Sequence, residues 1–247
     1  ILSNGGSNDS GFLALGTYSV SEAAVDGWDP TSATCDDGSD PSSIGLSAGE
    51  TVICTFENTK RGTIIVEKQT DPNGATGEFT FTGTAAGTIS DDGQITVPNL
   101  VPGTYNSTEN DPNPGFDLTG ISCDDDQSIT PSTSDLGTKT ATFKLDPGET
   151  VKCTFTNTQR GNLIIVKNTL GGDSEFQFLT TGEGLSNFSI TTSGGTGNQS
   201  FNNILPGQYS VSENIPGGWE LYRATCDNFE SIDDIDIGPG ERVTCTF

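Results

Sequence analysis

One segment of the sequence occurs twice, and this repetition restricts the chain to a tandem array of similar units. Residues 49–70 read GETVICTFENTKRGTIIVEKQT, and residues 148–169, which begin 99 positions later, read GETVKCTFTNTQRGNLIIVKNT. The two copies are identical at 14 of 22 positions, and a third copy, GERVTCTF, begins at Gly240. A spacing of about 100 residues is a common domain size. We therefore predict two to three units in the 247 residues.

Each copy contains two runs of alternating side chains, separated by a polar turn that contains Arg-Gly. In the later copy Val151, Cys153 and Phe155 share one face of the first run, and Leu163 and Ile165 share one face of the second. Alternation with a period of two and many β-branched residues is typical of half-buried strands. The segment therefore predicts the last strand of one unit, a short linker and the first strand of the next unit.

The repeat also defines the unit boundaries. We predict unit 1 at residues 1–60, unit 2 at 61–159 and unit 3 at 160–247, with unit 1 lacking its opening strands and unit 3 its last residues. We interpret the chain as a fragment of a longer array. The alternative is a subunit whose incomplete unit is closed by a strand from a neighbour. The expected partners are therefore further repeats of the same chain or identical subunits.

Composition favours strands and disfavours several classes of function. The 32 Gly and 12 Pro residues suit short strands joined by turns, so we predict an all-β chain of tandem β-sandwiches. A formal net charge of −24 makes the chain a poor ligand for nucleic acid or anionic lipid. No run approaches the roughly 18 apolar residues of a membrane helix, so we expect no membrane insertion in this segment. Without His there is neither a Ser–His nor a Cys–His pair, and we predict that the chain is not an enzyme.

Six cysteines fall two to a unit, which restricts how they can pair. Pairing within each unit gives Cys35–Cys54, Cys123–Cys153 and Cys226–Cys245. Zinc ligation is the alternative, but the chain has no His and no C-x-x-C motif, so the composition favours disulfides. Disulfides are typical of proteins outside the cytoplasm, and we predict an extracellular location.

The order of the motifs resembles the Cna-type B, or SpaA-like prealbumin-fold, domains of bacterial surface proteins. These motifs are G-T-I-I-V-x-K, E-F-x-F, L-x-P-G-x-Y-x-x-x-E and C-T-F-x-N-T, and the match covers all of unit 2, most of unit 3 and the latter half of unit 1. The resemblance implies a small Ig-like, transthyretin-like sandwich that serves as a stalk module in adhesins, pilins and other surface proteins.

Many members of that family carry a self-formed isopeptide bond between a first-strand Lys and a last-strand Asn, promoted by a Glu. The resemblance assigns these roles to Lys68, Asn157 and Glu109 of unit 2. Each shares a strand face with apolar residues, where burial favours the neutral amine and the protonated carboxyl. The alternative that the sequence leaves open is a Lys–Glu salt bridge without a covalent bond. Unit 3 retains Lys167 and Glu213, and unit 1 retains Glu22 and Asn58.

Acidic clusters follow the first cysteine of each pair, in one equivalent loop. Oxygen ligands in a loop suit Ca²⁺, but none of these segments fits the EF-hand pattern, so a solvated acidic loop is the alternative interpretation. Calcium is the one cofactor that we consider. The candidate ligands are Asp36, Asp37, Asp40, Asp124, Asp125 and Asp126.

Four N-x-S/T sequons are candidate glycosylation sites, although such matches arise by chance in a chain rich in Ser and Thr. They are Asn8, Asn106, Asn187 and Asn198.

Together these features predict a structural repeat of an extracellular surface or filament protein, held by disulfides within each unit and by the isopeptide bond if it forms. The alternative is an adhesin segment that binds a host, matrix or carbohydrate ligand through loops at the ends of the sandwiches. A ligand-binding unit should interrupt the repeat, and only residues 180–200 of unit 3 are a candidate for such an interruption.

Overall fold

The computed structural model describes residues 1–110, 114–125 and 128–247, and in these ranges the chain forms 21 strands and no helix. The described residues thus include no long apolar helix of the kind that crosses a membrane. The strands form six small sheets. This architecture confirms the predicted all-β class and the tandem arrangement of β-sandwiches.

Unit 1 contains two separate antiparallel pairs. Its strands are β1 (Gly16–Tyr18), β2 (Trp28–Cys35), β3 (Ile44–Leu46) and β4 (Cys54–Lys60). Strand β1 pairs with β3, and β2 pairs with β4. Apolar side chains of this unit, such as Val20 and Trp28, are 43% and 42% exposed, because no further strands of the unit cover them.

Unit 2 is a two-sheet sandwich. Its strands are β5 (Gly62–Asp71), β6 (Phe79–Gly83), β7 (Gly87–Ile89), β8 (Gln94–Leu100), β9 (Gly103–Glu109), β10 (Phe116–Asp124), β11 (Thr133–Asp135), β12 (Thr140–Leu145) and β13 (Thr150–Gln159). The strand orders are β10-β13-β5-β8 in one sheet and β11-β12-β9-β6-β7 in the other. Strands β5 and β13, the first and last of the unit, are parallel neighbours, whereas the other pairs are antiparallel.

Unit 3 repeats this plan. Its strands are β14 (Gly161–Asn168), β15 (Glu175–Thr181), β16 (Phe188–Thr191), β17 (Thr196–Ile204), β18 (Gly207–Asn214), β19 (Thr225–Cys226), β20 (Ile235–Ile237) and β21 (Arg242–Thr246). The orders are β17-β14-β21-β19 and β16-β15-β18-β20, and β14 again pairs in parallel with β21.

The core of each complete sandwich follows from strand alternation. In β5 every second residue is buried, and Ile64 and Val66 are fully enclosed. Phe81 of the opposite sheet contacts Phe155 of β13 edge to face, with ring centroids 5.0 Å apart. Since the same alternation continues along β5 and β13, it also carries Lys68 and Asn157 into this core.

Candidate functional site

Lys68 and Asn157 meet inside unit 2, between its first and last strands. Both side chains are fully buried, and Lys68 Nζ donates a hydrogen bond to Asn157 Oδ1 at 2.9 Å. The same nitrogen donates to the backbone carbonyl oxygens of Gln69 at 2.6 Å and Phe155 at 2.9 Å. The amine is therefore held directly against the carboxamide.

Glu109 reaches the same point from the opposite sheet. It lies at the end of β9 and is 1% exposed. Asn157 Nδ2 donates to Glu109 Oε1 at 2.6 Å, while the buried Glu109 Oε2 has no hydrogen-bond partner. The structure thus brings together the three residues that the family resemblance assigned to one site.

Burial shifts the protonation of both ionisable groups toward their neutral forms. Desolvation lowers the pKa of Lys68 to about 8, although the nearby Glu109 carboxylate opposes this shift. Desolvation also raises the pKa of Glu109, against the hydrogen bond from Asn157 and the charge of Lys68. A neutral amine is a nucleophile, and a protonated carboxyl group can transfer a proton. The site can therefore supply the groups that amide formation needs.

Sequence reasoning did not predict that an aromatic ring contacts each buried lysine. Lys68 Nζ lies 4.3 Å from the centre of the Phe79 ring, and Lys167 Nζ of unit 3 lies 4.4 Å from the centre of the Phe176 ring. Both rings belong to the recurring E-F-x-F motif. The signal was the recurrence of this motif in the strand that follows the lysine strand, but sequence alternation alone could not show that the two side chains touch.

Units 1 and 3 contain parts of the same constellation. In unit 3 Lys167 Nζ and Glu213 Oε1 form a buried ion pair at 2.6 Å. In unit 1 Asn58 Nδ2 donates to both carboxylate oxygens of Glu22, at 2.8 Å each. Only unit 2 brings Lys, Glu and Asn together within the described residues.

Each unit has a disulfide bond between its own two cysteines. The bonds are Cys35–Cys54, Cys123–Cys153 and Cys226–Cys245. Each joins directly opposed residues of neighbouring antiparallel strands, in the pairs β2–β4, β10–β13 and β19–β21. The loops that they close span 19, 30 and 19 residues in chain order.

The acidic loops use their carboxylates to organise their own backbone. Asp36 Oδ1 accepts from Ile53 N at 2.9 Å, Asp37 and Asp40 accept from Ser39 and Ser42, and Asp125 Oδ2 accepts from Ser132 N at 2.5 Å. Asp124 is exposed at the end of β10, and Asp126 lies outside the described residues. In the described part of the chain no three acidic side chains are grouped to hold a metal. The calcium hypothesis stays a prediction.

The four sequon asparagines are all exposed, and they lie in different settings. Asn106 is on the outward face of β9, and Asn198 is on β17, at the edge of its sheet. Asn187 Oδ1 accepts from Thr180 N at 2.9 Å, and Asn8 precedes the first strand. Glycosylation at these positions stays a prediction.

Units 2 and 3 are sandwiches in series, and each has parallel first and last strands and a buried lysine and glutamate in its core. Together these features define a class of prealbumin-like modules. Residues 64–159 and 163–247 each match a SpaA-type family model described as a prealbumin-like fold domain, and residues 3–56 match a second model of the same description. The chain therefore belongs to the SpaA-type prealbumin-like fold domain family. A search of curated proteins gave no match.

Several solved structures are similar to this chain at low identity. The Bacillus anthracis TIE protein is 15% identical with a TM-score of 0.32, and the match covers 92% of this chain and 50% of that one. A streptococcal ancillary pilin is 14% identical with a TM-score of 0.30, covering 83% and 69%. The shaft pilin SpaA of Lactobacillus rhamnosus GG is 12% identical with a TM-score of 0.28, covering 76% and 98%. The chain thus spans half the length of the Bacillus anthracis protein.

Proposed function

We propose that this chain is a load-bearing segment of an extracellular surface or filament protein, in which covalent bonds hold each unit closed. The observation that carries the proposal is the buried contact of Lys68, Asn157 and Glu109 between the first and last strands of unit 2. Three disulfides, one in each unit, support an extracellular location.

The proposed chemistry in unit 2 is the formation of an isopeptide bond. The neutral Lys68 amine attacks Asn157 Cγ, a bond forms between Nζ and Cγ, and the bond between Cγ and Nδ2 breaks. Glu109 takes one hydrogen from the attacking nitrogen and returns a proton to Nδ2, which leaves as ammonia. The carboxyl group ends in its starting state, and no oxidant or cofactor is required.

The position of the proposed bond explains how it would resist tension. Force enters unit 2 at the start of β5 and leaves at the end of β13, and these parallel neighbours would have to slide past each other. A bond between Lys68 and Asn157 joins the two strands directly. The chain between these residues, with the Cys123–Cys153 disulfide inside it, would then carry no load.

The experiment is an intact mass measurement of the oxidised protein, with matched variants. The isopeptide bond predicts a mass lower by one ammonia than the mass calculated for the disulfide-bonded chain. Glu109→Ala and Asn157→Ala should each have the full mass calculated for the disulfide-bonded variant, with no ammonia lost. Peptide mapping should find a branched peptide that joins Lys68 to Asn157. An unmodified mass for the protein would show that the disulfides are its only covalent cross-links.

A further inference from the structure

The units of the chain are joined by linkers of a single residue. Strand β4 ends at Lys60 and β5 begins at Gly62, so only Arg61 lies between units 1 and 2. Strand β13 ends at Gln159 and β14 begins at Gly161, so only Arg160 lies between units 2 and 3. A linker this short leaves little freedom for one unit to move against the next.

Each linker arginine donates two hydrogen bonds to an aspartate of the preceding unit. Arg61 Nε and Nη2 donate to Asp29 Oδ2 and Oδ1 at 2.8 and 2.6 Å. Arg160 Nε and Nη2 donate to Asp117 Oδ2 and Oδ1, both at 2.7 Å. The planar guanidinium matches a carboxylate in this two-point geometry, which fixes the orientation of the side chain.

The same guanidinium groups also reach the following unit. Arg61 Nη1 donates to the Asn99 carbonyl oxygen at 3.4 Å, and Arg160 Nη1 donates to the Asn203 carbonyl oxygen at 3.3 Å. The two asparagines have left-handed backbones, with φ of 59° and 56°. Asn tolerates this conformation better than most residues, so a turn of the same shape meets the arginine at both junctions.

Backbone hydrogen bonds hold the linker from both sides. On the side of the preceding unit, Arg61 N donates to the Gly27 carbonyl oxygen at 2.8 Å, and Arg160 N donates to that of Gly115 at 2.7 Å. On the side of the following unit, Gly148 N donates to the Lys60 carbonyl oxygen, and Gly240 N to that of Gln159, both at 3.0 Å. The two junctions therefore share one pattern of contacts.

The close approach of unit 3 to unit 2 explains why a glycine stands at position 115. Gly115 has a φ of +100°, and a Cβ added there would lie 3.1 Å from Asn203 Oδ1 of the next unit. The corresponding Gly27 of unit 1 has a φ of +78° and faces Asn99. Unit 3 repeats this part of the sequence as Gly218-Trp219-Glu220, which again offers a carboxylate after the Gly-aromatic pair.

We propose that Arg61 and Arg160 are clamps that lock neighbouring units in one relative orientation, so that the array behaves as a rigid rod with a constant step between units. The clamp joins three points: the linker, an aspartate of the unit before it and a turn of the unit after it. This inference concerns the geometry between units and holds whether or not the isopeptide bond forms.

Residual dipolar couplings of backbone amides test the clamp between units 2 and 3. In the unaltered chain both units should give one common alignment tensor. Arg160→Gln removes both the positive charge and the two-point contact with Asp117, whereas Arg160→Lys keeps the charge and removes only the two-point contact. Both variants should lose the common tensor while each unit retains its own fold. Arg223→Gln, which removes an exposed arginine elsewhere in unit 3, is the matched control and should retain it.

Separate tensors for the two units in the unaltered chain would overturn the proposal, as would a common tensor in Arg160→Gln. A common tensor in Arg160→Lys would overturn the role assigned to the two-point contact. If Arg160→Gln fails to fold, Asp117→Asn provides the same test from the other partner, because it keeps the size of the side chain and weakens the two-point contact. Intact mass and dispersed amide spectra would verify that the variants keep their disulfides and folds.

Discussion

Lys68 donates a hydrogen bond to Asn157 although the two residues are not opposite each other in the β5–β13 ladder. Lys68 lies opposite Phe155, and Asn157 lies opposite Thr70. The lysine side chain therefore extends along the sandwich core toward the end of β13. The Lys68 amine, a titratable group, is therefore fully buried, at 0% exposure. Two properties of the protein should depend on this buried amine.

The first property is the pH dependence of stability in a chain that cannot form the isopeptide bond. Burial lowers the pKa of Lys68 from its ordinary 10.5 to about 8, so between these values the unfolded chain binds a proton that the native chain lacks. Stability should then rise with pH across this window. We expect Asn157→Ala to gain stability toward urea above pH 8, by at most about 1.4 kcal/mol per pH unit.

The control for this pH effect is the double variant Lys68→Met, Asn157→Ala. It lacks the titrating amine but keeps the acidic surface, whose own pH dependence is thereby subtracted. A parallel rise in both variants would show that Lys68 is not the group responsible.

The second property is the rate of bond formation in the intact site. The reaction needs a neutral Lys68, so the fraction of reactive protein should increase as the pH rises toward about 8. Burial raises the pKa of Glu109, and deprotonation of its carboxyl group would remove the proton donor and lower the rate. Mass spectrometry of protein synthesised at different pH values would measure this, and a rate independent of pH would contradict the proposed protonation states.

The glycine after each linker arginine should resist substitution. A Cβ at Gly161 would overlap Ile237 and lie 3.0 Å from the Glu241 carbonyl oxygen, in the closing turn of its own unit. We expect Gly161→Ala to destabilise unit 3 by about 1–3 kcal/mol. Gly217→Ala is the control, because a Cβ there has no neighbour within 4 Å. Hydrogen exchange resolved by unit would measure both, and equal protection in the two variants would contradict this explanation.

The sequence predicted the strands because they follow from local alternation and the repeat, whereas the family resemblance assigned the three residues of the site. Alternation placed Lys68, Glu109 and Asn157 on apolar strand faces, and those faces form the core. Short strands such as β7 and β11 have only three residues each, too few for a periodic signal. The sequence therefore did not reveal them.

The junction contacts were not predicted because they join residues that are far apart in the chain. Arg160 and Asp117 are separated by 43 positions, and neither position is unusual by itself. The Arg-Gly turn and the Gly-aromatic-acid motif both recur in the sequence, but their contact depends on how the units are placed. The sequence suggested a short linker and gave no partner for its arginine.

The disulfide of each unit should stabilise that unit alone. The bond Cys226–Cys245 spans 19 residues of chain, and closing a loop of this size should contribute about 3 kcal/mol. We expect the double variant Cys226→Ala, Cys245→Ala to lose this amount in unit 3, as measured by unit-resolved hydrogen exchange. The matched variant Cys35→Ala, Cys54→Ala should leave protection in unit 3 unchanged. A loss of protection in unit 3 from the latter change would show that the units do not unfold separately.

Replacing one residue of the buried ion pair in unit 3 should destabilise the unit, whereas replacing both residues should cost much less stability. The Lys167 and Glu213 side chains are 6% and 1% exposed, so Lys167→Met leaves a carboxylate in the core without its cation. We expect a loss of about 3–5 kcal/mol in unit 3, most of which the second change in Lys167→Met, Glu213→Leu should recover.

A more exposed ion pair of the same charges provides the comparison. Lys152 and Glu67 lie 3.0 Å apart with side chains 36% and 15% exposed, and Lys152→Met should cost less than about 1 kcal/mol in unit 2. Since both changes remove a lysine from an ion pair, the difference between them measures the effect of burial. Similar losses in the two single variants, or no recovery in the double variant, would mean that the unpaired carboxylate is not what destabilises unit 3.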